Sequence, residues 1–134
     1  MIDAYLHAGG PRFGPAQLAL RQLERHAIDA GIIVLPPVCP DFAELRAARE
    51  IAGENVRLVG IPFGDTEAQR AELTAWQIAF GITGLRLMPH EMEPNADSIR
   101  LLGEAGRWLF TINPYDSADM QRTLLEWLEK YPKG

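Results

Sequence analysis

In the opening run "IDAYLH", Asp3, Tyr5 and His7 occupy every second position. A phenol can donate a hydrogen bond to developing negative charge, and an imidazole can polarise or orient a carbonyl. Side chains alternate along an extended strand, so Ile2, Ala4 and Leu6 are expected on one face and Asp3, Tyr5 and His7 on the other. The apolar face can pack on helices. The polar face then points into a cleft or a barrel interior, where an ionisable group is costly unless it is paired or put to use. A structural cluster of mutually hydrogen-bonded side chains would account for the same pattern.

A second candidate lies in "GLRLM". If Leu85 and Leu87 face helices, Arg86 and Met88 turn to the opposite side. A guanidinium there can hold a carboxylate through two parallel hydrogen bonds. An ion pair with Asp3 or Glu91 is the alternative, because buried charges are usually paired. His90 follows the same strand and falls in the region where a substrate would sit, although a lone loop histidine is more often solvated than catalytic. His26, beside Glu24 and Arg25, is expected to be exposed.

These residues need a scaffold, and the hydrophobic pattern supplies one. Short apolar runs alternate with longer segments of helical period, the signature of βα units that feed a parallel sheet. Strands are expected at about Ile2–His7, Ile32–Leu35, Val56–Phe63, Gly84–Met88 and Leu109–Asn113. Helices are expected at about Pro15–Ala30, Phe42–Ala52, Glu67–Phe80, Ala96–Glu104 and Ser117–Lys130. Asp41 with Glu44, and Thr66 with Gln69, have the spacing of capping boxes. Gly31, Gly53 and Gly81 stand where helix ends call for a left-handed residue. Met120, Leu124, Trp127, Leu128 and Tyr131 form one apolar stripe, read as core. Ligands of parallel α/β folds sit at the carboxyl ends of the strands, which is where the candidates cluster.

Composition narrows the function. The 134 residues suffice for one domain, 1–134, and are too few for two of ordinary size. Apolar residues make up 47% and charged ones 23%, a globular balance. No apolar stretch is long enough to span a bilayer, and no basic segment precedes the first apolar run. A cytoplasmic protein without a membrane partner is the expectation. Cys39 is the only cysteine, which excludes an internal disulfide and a multi-cysteine zinc site. The net charge of −5 comes without a basic stripe, so nucleic acid is not an expected partner. The loop "HAGGPRFG" matches no nucleotide-binding pattern, and Pro11 removes a backbone donor that such a loop uses.

"IDAYLH" resembles the first-strand Asp-x-His-x-His motif of the amidohydrolase superfamily, in particular the amidohydrolase-related branch that contains pyrone-dicarboxylate lactonases and decarboxylases of small carboxylated rings. "AGIIVLPPVCPDFAELRAAREIAGENVRLVGIPFGD" and "FGITGLRLMPH" are similar in order and spacing to that family's second, third and fourth strands. The resemblance implies a (β/α)8 barrel, represented here by about five βα units, and hydrolysis of a cyclic ester, amide or related bond in a small carboxylated compound. It implies His7, Tyr5 and Asp3 as catalytic groups, with Arg86, Asn113 and His90 contacting the substrate. The family's histidines bind a divalent metal or, in metal-free lactonases, the substrate. Tyr5 and Asn113 stand where the family most often presents imidazoles, so no tight metal site is expected.

The family's sixth and eighth strands, with further histidine and aspartate, have no counterpart here. The chain is therefore expected to be a fragment or remnant of a barrel, with edge strands that favour a homo-oligomer or a completing chain. Two other readings stay open: a non-catalytic binding or assembly module derived from such a barrel, and a flavodoxin-like sheet with strand order 2-1-3-4-5.

Overall fold

The structure, a computed structural model, describes residues 1–111 and 118–130. Five strands, β1 (Ile2–His7), β2 (Ala30–Val34), β3 (Val56–Gly60), β4 (Gly84–Leu87) and β5 (Trp108–Thr111), form one parallel sheet in the order β1-β2-β3-β4-β5. Sequential order is that of a portion of a (β/α)8 barrel, and it rules out the 2-1-3-4-5 arrangement. The intervening helices are α1 (Ala16–Arg25), α2 (Phe42–Ile51), α3 (Glu67–Phe80), α4 (Ala96–Glu104) and α5 (Ala118–Lys130). No helix among the described residues is long and apolar enough to cross a membrane.

One face of the sheet carries the core. Ile33, Leu58, Leu85 and Leu87 pack there with Leu23 of α1, Leu45 and Ala48 of α2, Leu102 of α4 and Trp127 of α5. Their strand neighbours Val34, Val59 and Arg86 fall on the other face, as period-two alternation requires. Residues paired across a parallel ladder share a face, so His7, Val34, Val59, Gly84 and Trp108 form one row across this open side.

Alternation fails in β1. Asp3 pairs with Gly31 and Leu6 with Ile33, so three steps along β1 match two along β2. The extra residue is a bulge, and it reverses the faces on either side of it. His7 therefore shares the face of Val34, whereas Asp3 shares the opposite face of Gly31. The expected placement of Asp3 beside His7 on one face is corrected accordingly. The sequence alternates without interruption here, because a bulge is a feature of pairing with a neighbour and leaves no mark in the pattern of one strand.

Helix ends also depart from expectation. Gly81 caps α3 in the left-handed region (φ 106), and Thr66 with Gln69 forms the capping box at its start. Gly31 and Gly53 cap nothing. Helix α1 stops at Arg25, with Ala27 at φ 50 just beyond it, and α2 ends on an extended Ala52. Gly31 lies within β2, where a Cβ would come 2.7 Å from Leu23 Cδ1, so its lack of a side chain lets α1 approach the sheet. Asp41 accepts from Glu44 N at 2.9 Å, yet the Glu44 carboxylate does not return the bond. It accepts instead from Ala16 N and so caps α1, whose own N-cap position, Pro15, has no side-chain acceptor. In α5, Trp127 is buried while Leu128 is half exposed, which corrects the reading of the whole stripe as core. Tyr131 and the side chains of Met120 and Leu124 lie outside the described residues.

Gly60, the last residue of β3, allows α3 to dock. Gln77 is fully buried, donates to Ile61 O at 2.7 Å and accepts from Ile61 N at 3.2 Å. A Cβ on residue 60 would come 1.9 Å from its Oε1. Gly60→Ala must displace Gln77 and leave buried polar groups unpaired, so urea unfolding should show a loss of about 2–4 kcal/mol. An unchanged midpoint would refute this account of the junction.

Candidate functional site

Strand β4 delivers Arg86. Leu85 and Leu87, both fully buried among the helices, fix the phase of the strand and force Arg86 onto the open face. The residue is 7% exposed, and its Nε is buried without a hydrogen-bond partner. Its Nη2 donates to Met88 Sδ at 3.4 Å, a weak acceptor. Neither Asp3 nor Glu91 forms an ion pair with it, so that alternative does not hold among the described residues. Burial of a guanidinium without a carboxylate is unfavourable, and an anionic ligand would relieve it.

Arg86 lines a cavity of about 200 Å³ at the carboxyl ends of β2, β3 and β4. Pro37 follows β2; Ile61, Pro62, Phe63, Gly64 and Asp65 follow β3; Glu91 follows β4; and Arg70 reaches in from α3. The prolines that end β2 and β3 thus become walls. Arg70 holds the rim. Its Nε donates to Asn95 Oδ1 at 2.8 Å, its Nη1 to Gly64 O at 3.0 Å and its Nη2 to Pro94 O at 2.6 Å. Asn95 in turn donates to Glu91 O at 2.6 Å, and Glu91 Oε2 accepts from Met88 N at 2.6 Å. A chain of bonds therefore runs from α3 across the turns after β4 back to the end of that strand.

His7 is placed separately. Its Nδ1 lies 2.8 Å from Val34 O, and since a carbonyl only accepts, Nδ1 carries a proton and donates. In the neutral imidazole this puts the lone pair on Nε2. Phe13 packs on the ring, with centroids 4.6 Å apart, so the loop after β1 holds the imidazole in place. His7 does not line the Arg86 cavity. With β1 and β4 three strands apart, the two backbones are separated by about 14 Å.

The other sequence candidates divide. His90, in the short turn Pro89–Glu91, is exposed and outside the cavity lining. His26 is exposed, as expected. The side chain of Tyr5 and all of Asn113 lie outside the described residues. Arg70 and Asn95 were not signalled by the sequence: one lies within a helix and the other follows a proline, with nothing in either context that sets it apart. Glu91 was marked only as a partner for Arg86. Its position four residues past β4 was the usable signal.

Among the described residues no three His, Cys, Asp or Glu side chains come together as a cation site. Asp3 and His7 lie on opposite faces, so they cannot serve as a pair of ligands.

No family model matches the sequence, and no curated protein matches it. Its fold has a counterpart among solved structures: a probable 2-pyrone-4,6-dicarboxylic acid hydrolase from Acinetobacter baumannii, with citric acid bound, has a TM-score of 0.66 to this chain. Sequence identity is 15%, over 97% of this chain and 54% of that one. The chain thus spans about half the length of a barrel-type hydrolase whose fold it shares.

If Arg86 is an uncompensated buried cation, Arg86→Met should stabilise the chain by about 1–3 kcal/mol in urea unfolding, because an apolar side chain of similar length fills the space without the desolvation cost. A destabilised variant would mean that the charge is compensated within the protein.

Proposed function

We propose that the chain represents the first five βα units of an amidohydrolase-like barrel, in which the open face takes a small carboxylated compound and hydrolyses a cyclic ester, amide or related bond. The observation that carries the reading is Arg86, buried, without a carboxylate partner and facing a cavity at the strand ends where barrel enzymes bind ligands. The fold likeness to a probable hydrolase is consistent with this class of chemistry.

Arg86 would hold the substrate carboxylate. His7, oriented by its bond to Val34 O, would present the Nε2 lone pair to a proton of the attacking water, and Tyr5 would donate to the developing negative charge. The roughly 14 Å between the backbones of β1 and β4 leaves room for a small ring between the two long side chains. Asp3 falls outside this set by register, and His90 by exposure. Asn113, past β5, is kept as a substrate contact on the resemblance alone.

A second reading, a binding or assembly module without turnover, is favoured by the absence of His7 from the cavity lining. Both readings include association, because β1 and β5 are edge strands, and Ile2 and Trp108 on them are 69% and 49% exposed. Light scattering should give a dimer or larger species unless a completing chain is present; a stable monomer would refute that expectation.

The decisive measurement is turnover of a lactone that bears a ring carboxylate. Under the hydrolase reading, Arg86→Met raises KM about 10- to 100-fold through the lost charge-assisted bond, with a smaller change in kcat. His7→Asn lowers kcat about 10²- to 10⁴-fold. Carboxylate binding without turnover, alone or with a completing chain, would select the binding module.

A further inference from the structure

Arg86 and Glu91 line the same small cavity, carry opposite charges and do not pair. Opposite charges in a confined, partly dry space attract strongly, so a geometry that keeps them apart leaves each with bonding capacity for a third group. Glu91 is held by two bonds. Its Oε2 accepts from Met88 N, and its backbone oxygen accepts from the Asn95 amide, which Arg70 anchors to α3. Its Oε1 has no hydrogen-bond partner among the described residues.

A carboxylate bound at Arg86 therefore enters a cavity that also holds a fixed carboxylate. A second anionic group on the ligand would meet repulsion from Glu91, whereas a hydroxyl or ammonium hydrogen would satisfy its open oxygen. Arg70 does not overturn this balance, because three of its five N–H groups already donate to the chain and the Asp65 carboxylate on the same lining offsets its charge. The apolar remainder of the ligand would lie against Ile61, Pro62 and Phe63.

We propose that Glu91 is a specificity-determining residue, and that the site selects monocarboxylates carrying a hydrogen-bond donor a few bonds from the carboxylate over both plain carboxylates and dicarboxylates. This rests on the reading of Arg86 as the carboxylate anchor and adds the rule by which the rest of the ligand is chosen.

Phenylacetate, mandelate and phenylmalonate form a matched set that differs at one carbon by hydrogen, hydroxyl or a second carboxylate. In calorimetric titrations of the full chain, mandelate should bind about tenfold more tightly than phenylacetate, the size of one charge-assisted hydrogen bond, and phenylmalonate should bind most weakly. In Glu91→Gln the amide oxygen can still accept from Met88 N while the amide nitrogen faces the cavity. The mandelate advantage should then fall to about threefold or less, because the hydroxyl exchanges a charge-assisted bond for a neutral one accepted from the amide, and phenylmalonate should gain at least about tenfold.

Equal binding of phenylacetate and mandelate by the unaltered chain would overturn the proposal while leaving the anchor in place. So would a preference for phenylmalonate, which would assign a second carboxylate site to Arg70. Retention of the full mandelate preference in a folded Glu91→Gln chain would overturn it as well. Failure of all three ligands to bind would remove the anchor itself, and the inference with it. If thermal melting shows that Glu91→Gln does not fold, the ranking by the unaltered chain and a reduced mandelate preference in Glu91→Asp decide the matter.

Discussion

Arg86 brings a positive charge into the interior of the open face and forms no ion pair with the carboxylates that line the same cavity, and much of the surrounding architecture keeps it in that position. Leu85 and Leu87 are fully buried on the helix side of β4, so the strand cannot rotate to expose the guanidinium without bringing two leucines into water. Full exposure of one leucine costs about 1.5–3 kcal/mol. The net of bonds from Arg70 through Asn95 to Glu91 and Met88 fixes the turns beyond the strand, so the neighbouring acid cannot swing freely onto Arg86. The charge is thus tolerated because the alternatives are worse, and that is the condition under which a ligand can supply what the chain does not.

The parts of this arrangement that the sequence reveals are those set by periodicity within one element. Alternating Leu85, Arg86 and Leu87 point the arginine away from the helices whatever its neighbours are, and the βα rhythm yields parallel strands and helix spans such as Glu67–Phe80 to the residue. Features that arise between elements are silent. The bulge that separates Asp3 from His7 exists only in relation to β2. Glu44 has the spacing to cap its own helix and caps α1 instead, because the chain brings Ala16 within reach. Arg70 and Asn95 are 25 positions apart and meet only once α3 packs beside the turns after β4. Glycine conveys equally little by itself: Gly31 and Gly81 look alike in sequence, yet one lets a helix pack on the sheet and the other ends a helix.

The open face also explains why the polar groups are distributed as they are. The row that contains His7 continues through Val34, Val59 and Gly84 to Trp108, and its central members offer a ligand neither charge nor side-chain hydrogen bonds. A floor of this kind orients nothing. Orientation has to come from its margins, with His7 on β1 at one side and Arg86 and Glu91 at the strand ends on the other, which is the usual division in small-molecule sites between apolar surface for contact area and a few placed polar groups for direction. Because the two margins are held by different means, one by the loop that seats Phe13 on the imidazole and the other by the Arg70 network, a change at either can alter binding without disturbing the other. A compound that reaches only the Arg86 margin would bind and remain intact, whereas one that spans the floor would come under the influence of His7. Under the proposed hydrolase reading, binding and turnover would therefore be separable on this face, with the length of the ligand deciding between them.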